Sequence, residues 1–237
     1  MPPARYLKLV LIRHAESQGN RLGVMEGQSS TALTQLGVQQ AQRLRTVLRS
    51  APLPTLCQTS PALRALQTAA VLCAPRPGTH WPDPKDSDPK DSDPRAREPS
   101  VPLQTVPALQ EIHPGIFQGL TWAAAEAQYP DLCQQLYTQL TLVPIPQAES
   151  ALAARQRAQA WLAACLAQYG AGDTVWVVSH GGLLLHLVAV ILGCDRTWQI
   201  QIPNTALFEF WLSDPSDLTV DALNPEHWKI KKFNQIP

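Results

Sequence analysis

Short strand-like runs alternate with longer helical patterns along this chain, and that alternation narrows the fold more than any other feature. Strand character appears at LKLVLI (7–12), TLCQTS (55–60), QTVPAL (104–109), TVWVVS (174–179) and ALFEFWL (206–212). Helical spacing lies between them. Thr34 is placed to cap a helix carrying Ala41, Leu44 and Leu48 on one face, and SPALRALQTAAVLC predicts a second helix with Ser60 as cap and Pro61 in its first turn. TWAAAEAQYPDLCQQLYTQL reads as one or two helices interrupted at Pro130, and AESALAARQRAQAWLAACLAQYG as a long helix stopped by Gly170. LLLHLVAVIL (183–192) is the longest apolar stretch, far short of the ~20 residues that cross a bilayer, and predicts a buried helix. Strand, helix, strand, helix is the pattern of the α/β class.

One segment breaks the order. Nine of the 22 prolines fall between residues 75 and 107, and DPKDS occurs twice in tandem there. Such a stretch buries too little apolar surface to offset its ordering entropy, so 82–98 is expected to be a flexible Asp/Pro-rich surface insertion. The remainder of the 237 residues suffices for one sizeable core, and a single domain over 1–237 is expected. Lys+Arg and Asp+Glu both total 19, and no basic block occurs that would track a nucleic-acid backbone or an anionic membrane. Any anion bound is therefore small. The apolar run before Arg13 is too short for a signal peptide, which predicts a cytoplasmic location. Five scattered cysteines fit neither a disulfide framework nor a paired metal motif and are expected to be free thiols.

Chemistry-bearing residues recur where the strand runs end. His14 follows the first, Arg64 the second, Glu111 the third and His180 the fourth. In an open α/β sheet ligands bind beyond the carboxyl ends of the strands, so these four are expected to converge. Arg13 and Arg64 carry planar forks that match phosphate oxygens, while Asn20 and His180 add further donors. A neutral imidazole at His14 presents a lone pair for attack on phosphorus. Glu111 is suited to protonate the leaving group and then to take a proton from water. His186, inside the apolar helix, reads as a core residue. His113, two positions beyond Glu111, is a candidate for lining the pocket, and Asn204 for its edge.

At these residues the sequence resembles the histidine phosphatase superfamily, which includes the cofactor-dependent phosphoglycerate mutases. LIRHAESQGN, SPALRALQTA, LQEIHPGIFQGLT, AES at 148–150 and VVSHGG occur in that family's order and approximate spacing, across residues 9 to about 205. The resemblance implies a three-layer α/β/α sandwich with a mainly parallel sheet. It implies His14 as the phosphorylated nucleophile, Glu111 as proton donor and His180 beside them, with Arg13, Asn20, Arg64 and Gly181 around the phosphate. It implies no cofactor and no metal, and residues 111–150 as a cap over the site. Two places depart from the family pattern: Ala15 stands where a glycine is usual, and Phe117-Gln118 replace a tryptophan-glutamate pair. A methyl at residue 15 is tolerated if the backbone there is ordinary and crowds the site if φ is positive.

The expected activity is that of a metal-independent, histidine acid-type phosphatase acting on a small phosphorylated metabolite through a phosphohistidine. A phosphoglycerate mutase uses the same intermediate and is the alternative. A non-catalytic phospholigand-binding scaffold is the second. The stretch from Ile112 to Pro130 contains no Arg or Lys, which favours hydrolysis over a mutase whose substrate bears a carboxylate. The sequence carries no signature of an oligomeric state.

Overall fold

The computed structural model describes residues 6–75, 101–139, 141–213 and 225–236. The insertion expected at 82–98 lies outside them. In chain order the elements are β1 (Tyr6–Arg13), α1 (Gln18–Leu22), α2 (Gln35–Leu48), β2 (Leu56–Thr59), α3 (Leu63–Cys73), β3 (Leu103–Thr105), α4 (Trp122–Gln128), α5 (Pro130–Thr138), α6 (Ala151–Gln168), β4 (Thr174–Ser179), α7 (Gly181–Ile191), β5 (Leu207–Ser213) and β6 (Trp228–Gln235). Six strands form one sheet in the order β3-β2-β4-β1-β5-β6. The first four are parallel, and β5 and β6 complete the sheet antiparallel.

The apolar runs of β1 and β4 follow from burial on both faces. Leu7, Leu9 and Leu11 of β1 pack with Val175 and Val177 of β4, Phe208 and Phe210 of β5, and the inner sides of α6 and α7. Val10 and Ile12, with Trp176 and Val178, pack on the opposite face against Leu44 and Leu48 of α2 and Ala65, Ala69 and Leu72 of α3. The result is the expected α/β/α sandwich. The segment bearing α4 and α5 has a smaller cluster of its own, built on Phe117, Ala125 and Cys133 with Met25, Trp122 and Tyr129 around them.

Several local signals act as read. Thr34 caps α2, its Oγ1 accepting from Gly37 N at 2.9 Å. Proline 130 opens α5, so the doubtful helix is two helices. Others act differently. Ser60 does not cap α3, which starts at Leu63 after Ala62 and has no side-chain cap; Ser60 stands too early in the chain, its Oγ accepting from Ala62 N at 3.3 Å and meeting His180 Nε2 at 2.7 Å. The run 104–109 is not one strand: β3 ends at Thr105, and Pro107–Leu109 form a 3-10 turn since proline brings no N–H to the ladder. Strand β6 went unread because WKIKKFNQ is an edge strand whose three lysines, two of them exposed, interrupt its apolar residues. Among the described residues, no helix is long and apolar enough to cross a membrane.

Candidate active site

Strand register decides where the site forms. Arg13 pairs with Ser179 across β1 and β4, and Thr59 with Val178 across β2 and β4, so three chains leave the sheet side by side. His14 and His180 are the next residues after β1 and β4, and their rings meet edge to face with centroids 5.0 Å apart. Arg64 reaches in from the first turn of α3. Glu111 arrives from the loop beyond the 3-10 turn. A cavity of about 440 Å³ opens over these groups, lined by Arg13, His14, Asn20, Glu26, Arg64, Glu111, His113, Glu149 and Gly182, with Val24, Met25, Ile112, Pro114 and Ile145 forming apolar walls.

His14 is held in one tautomer. Its Nδ1 lies 2.7 Å from the carbonyl of Ala15, an oxygen that only accepts, so the proton sits on Nδ1 and the lone pair on Nε2. That lone pair accepts from Arg64 Nε at 3.1 Å. Burial, with the positive charges of Arg64 and Arg13, holds the His14 imidazole well below its ordinary pKa and therefore neutral. His180 is also depressed, first by burial and then by His14 and the two arginines.

Arg64 is 1% exposed and locked in place. Its Nη1 donates to Ser29 O at 2.6 Å and its Nη2 to Gly27 O at 2.8 Å, while Nε lies 3.7 Å from Glu26 Oε2. Arg13 donates through Nη1 to the Ile202 carbonyl. Two buried nitrogens beside the cavity, Arg13 Nε and His180 Nδ1, have no hydrogen-bond partner, which is costly unless a further group satisfies them. An oxyanion supplies such acceptors.

Glu111 sits at the N-terminus of α7. Its oxygens accept from Ile112 N at 2.9 Å, Leu183 N at 3.0 Å and Gly182 N at 3.1 Å. The approach requires glycine, because a Cβ at residue 182 would lie 2.7 Å from Glu111 Oε1. Three of roughly four lone-pair sites on the carboxylate are thus occupied, leaving one for a proton in transit.

The other sequence candidates divide. His113 lines the cavity, with Nδ1 accepting from Gly115 N at 3.0 Å. Asn204 stands behind it instead, donating to His14 O at 3.0 Å and Asn20 Oδ1 at 2.9 Å. Gly181 backs Arg13 rather than the cavity, which Gly182 faces. Ala15 takes an ordinary backbone conformation: among the described residues, only Gln147, Thr205 and Asn234 have positive φ outside glycine. Its methyl is buried with Leu33 and Ala41. Gln118 accepts from Gln28 N at 3.3 Å, and Gln28 in turn donates through Nε2 to the Glu111 carbonyl at 3.3 Å.

Two residues escaped sequence reading. Glu26 is a buried carboxylate in the cavity wall, and MEGQSS gives no hint of it beyond a lone acidic residue in a polar loop. Arg157 of α6 clamps Glu149 with both oxygens engaged, at 2.9 and 2.7 Å, and donates to Ala108 O and Gln110 O at 2.8 and 2.7 Å. A cation in the arginine- and glutamine-rich stretch RQRAQ looks like a solvated face until the loop it grips is known. Among the described residues, no group of three or more His, Cys, Asp or Glu is placed to hold a metal ion.

Comparison with known proteins bears on this arrangement. The family model for the histidine phosphatase superfamily (branch 1) matches residues 9–85 and 93–224. The adenosylcobalamin/alpha-ribazole phosphatase of Escherichia coli is 27% identical over 204 residues, covering 83% of this chain and 85% of that protein. A protein of Proteus mirabilis named "Probable phosphoglycerate mutase GpmB" is 28% identical over 187 residues, covering 79% and 75%. The crystal structure of the alpha-ribazole phosphatase from Shigella flexneri superposes with a TM-score of 0.71 at 22% identity, covering 97% of this chain and 96% of that one, and so shares the fold. With five sequence blocks gathered around one cavity and a family match over most of its length, the chain belongs to the histidine phosphatase superfamily, branch 1.

Proposed function

We propose that this protein is a phosphatase that hydrolyses a small phosphomonoester through a phosphohistidine on His14. The observation that carries the reading is a neutral His14 that lines the cavity, its proton held on Nδ1 by the Ala15 carbonyl and its Nε2 lone pair resting on Arg64 Nε, a donor that a phosphoryl group at Nε2 would take over. In the first step Nε2 bonds to phosphorus as the ester P–O bond breaks, and Glu111 passes its proton to the departing alkoxide oxygen. Arg13, Arg64, Asn20 and His180 hold the three spectator oxygens, whose charge they stabilise as it redistributes. In the second step Glu111 takes a proton from water, the water oxygen bonds to phosphorus, and the N–P bond breaks to release inorganic phosphate. One carboxyl serves both halves.

Beyond the phosphate end, the cavity walls favour hydrolysis over mutase chemistry. Val24, Met25, Ile112, Pro114 and Ile145 are apolar, Glu149 is already paired with Arg157, and among the described residues Arg13 and Arg64 are the sole lysine or arginine residues lining the space. A substrate bearing a carboxylate beside its phosphate finds no further cation among these residues. The ester of an uncharged alcohol with an apolar face fits better. Residues 111–150 supply much of this wall, which is the part expected of a cap.

The test compares kcat/KM over a panel of phosphomonoesters, including 3-phosphoglycerate with a trace of bisphosphoglycerate, using wild type and His14→Ala. Expected are phosphate release favouring uncharged alcohols, an acid-labile phosphoryl group trapped on wild type, and loss of both in H14A. Rapid isomerisation of 3-phosphoglycerate with little free phosphate rejects hydrolysis in favour of the mutase.

A further inference from the structure

Glu26 has no part in the steps above, yet it is seated deep in the same cavity at 5% exposure. Its Oε2 accepts from Ser17 Oγ at 2.5 Å and from Asn20 Nδ2 at 3.0 Å, and lies 3.7 Å from Arg64 Nε. Its Oε1 accepts from the Thr31 hydroxyl. Asn20 and Arg64 are donors that the proposed reaction needs for the phosphoryl oxygens. The carboxylate therefore sits where those donors converge.

The seat exists because residue 19 has no side chain. A Cβ there would lie 2.3 Å from Glu26 Cγ and Cδ, so Gly19 and the inward carboxylate depend on each other. The charge balance is unusual for a site that takes up a multiply charged anion. Arg13 and Arg64 are set against Glu26, Glu111 carries a proton when the ester binds in the reaction proposed above, and Glu149 is paired with Arg157. The two buried histidines add no positive charge. A phosphate dianion thus meets a cavity in which one of two guanidinium charges is already countered, with part of its cradle taken by an internal anion.

We propose that Glu26 is a resident anion that occupies the phosphate donor Asn20 and offsets the charge of Arg64 between turnovers and must give way when a phosphoryl group binds, so that the site releases product phosphate readily. What the device is for rests on the phosphatase reading, whereas the competition itself is a matter of binding. It sets the affinity of the phosphate end separately from the chemistry on His14. A purely structural Glu26, present only to neutralise Arg64, makes the opposite statement: removing its charge costs stability and gains no affinity.

Calorimetric titration of the full chain with inorganic phosphate separates the two. Glu26→Gln keeps the shape and removes the charge, and it is expected to bind phosphate at least about tenfold more tightly than wild type, since one like charge near the bound anion is gone. Gly19→Ala is expected to shift affinity the same way, because its methyl displaces the flexible carboxylate without deleting it. Melting temperatures are read alongside. An E26Q protein that binds phosphate no more tightly than wild type, including no binding by either, overturns the proposal, and if E26Q does not fold, G19A is judged by the same criterion. Failure of the phosphatase reading shows up elsewhere, as absence of turnover by wild type on every ester, and leaves this binding comparison intact.

Discussion

Replacing Arg157 by methionine isolates the contribution of a residue that touches no substrate. The side chain keeps its apolar length but loses four hydrogen bonds: two to the Glu149 carboxylate and one each to the carbonyls of Ala108 and Gln110. Arg157 and Glu149 are 20% and 16% exposed, so solvent replaces part of what is lost. Charged hydrogen bonds in full burial are worth about 1.5–3 kcal/mol each, and exposed ion pairs about 0–1 kcal/mol. At this intermediate exposure the sum comes to about 2–4 kcal/mol, a shift of roughly 1–2 M in the urea midpoint for an m-value near 2 kcal/mol/M. The kinetic effect is expected to be larger in kcat than in KM. Gln110 immediately precedes Glu111, and slack of about 1 Å at a reacting group costs on the order of 100-fold. Arg157→Lys, which keeps the charge but lacks the planar fork, should fall between the two. A methionine variant within about 0.5 kcal/mol of wild type with undiminished kcat would refute the idea that this clamp positions the proton donor.

Two further outcomes are expected. Glu111→Gln should slow esters of poor leaving groups far more than activated aryl phosphates, because only the former need a proton on the departing oxygen; an equal loss on both classes assigns that role to another group. Stability should fall with acidity. His14 and His180 have folded pKa values below the ordinary 6.5, so their contribution is fully present above that value and declines as the unfolded chain takes up protons that the folded one refuses. Each histidine costs up to about 1.4 kcal/mol per pH unit until its folded pKa is reached. Urea midpoints measured at a series of pH values between about 7.5 and 5 should drop less steeply in His14→Gln than in wild type, and parallel curves would contradict the neutral assignment.

How much of this was legible in the sequence depends on how local each signal is. Strands β1 and β4 announce themselves because burial on both faces leaves an unbroken apolar run, and the histidines that end those runs stand out against it. The cap at Thr34 is a short-range hydrogen bond and was readable. Ser60 misled because a hydroxyl before a helix has two possible partners, and the imidazole that claims it lies 120 residues away in sequence. Asn204 stands behind the cavity lining, on His14 O and Asn20 Oδ1, a placement that nothing local to IPNTALFEF signals. Glu26 was invisible for a related reason: an acidic residue in a polar loop looks solvated until the glycine at 19 is seen to make room for it. Arg157 illustrates the same limit, since its value resides in carbonyls about 50 positions upstream that no periodicity connects to it.

Both imidazoles are rooted on the two strands at the middle of the sheet, each flanked by a neighbour on either side. Those are the amides expected to exchange with solvent only through global opening, whereas the segment bearing α4 and α5, with its own small cluster, and the edge strand β6 are expected to open separately. Fraying at the periphery should therefore alter which esters are admitted long before it disturbs the reacting atoms. Heating or mild denaturant should blur substrate preference first and abolish turnover last.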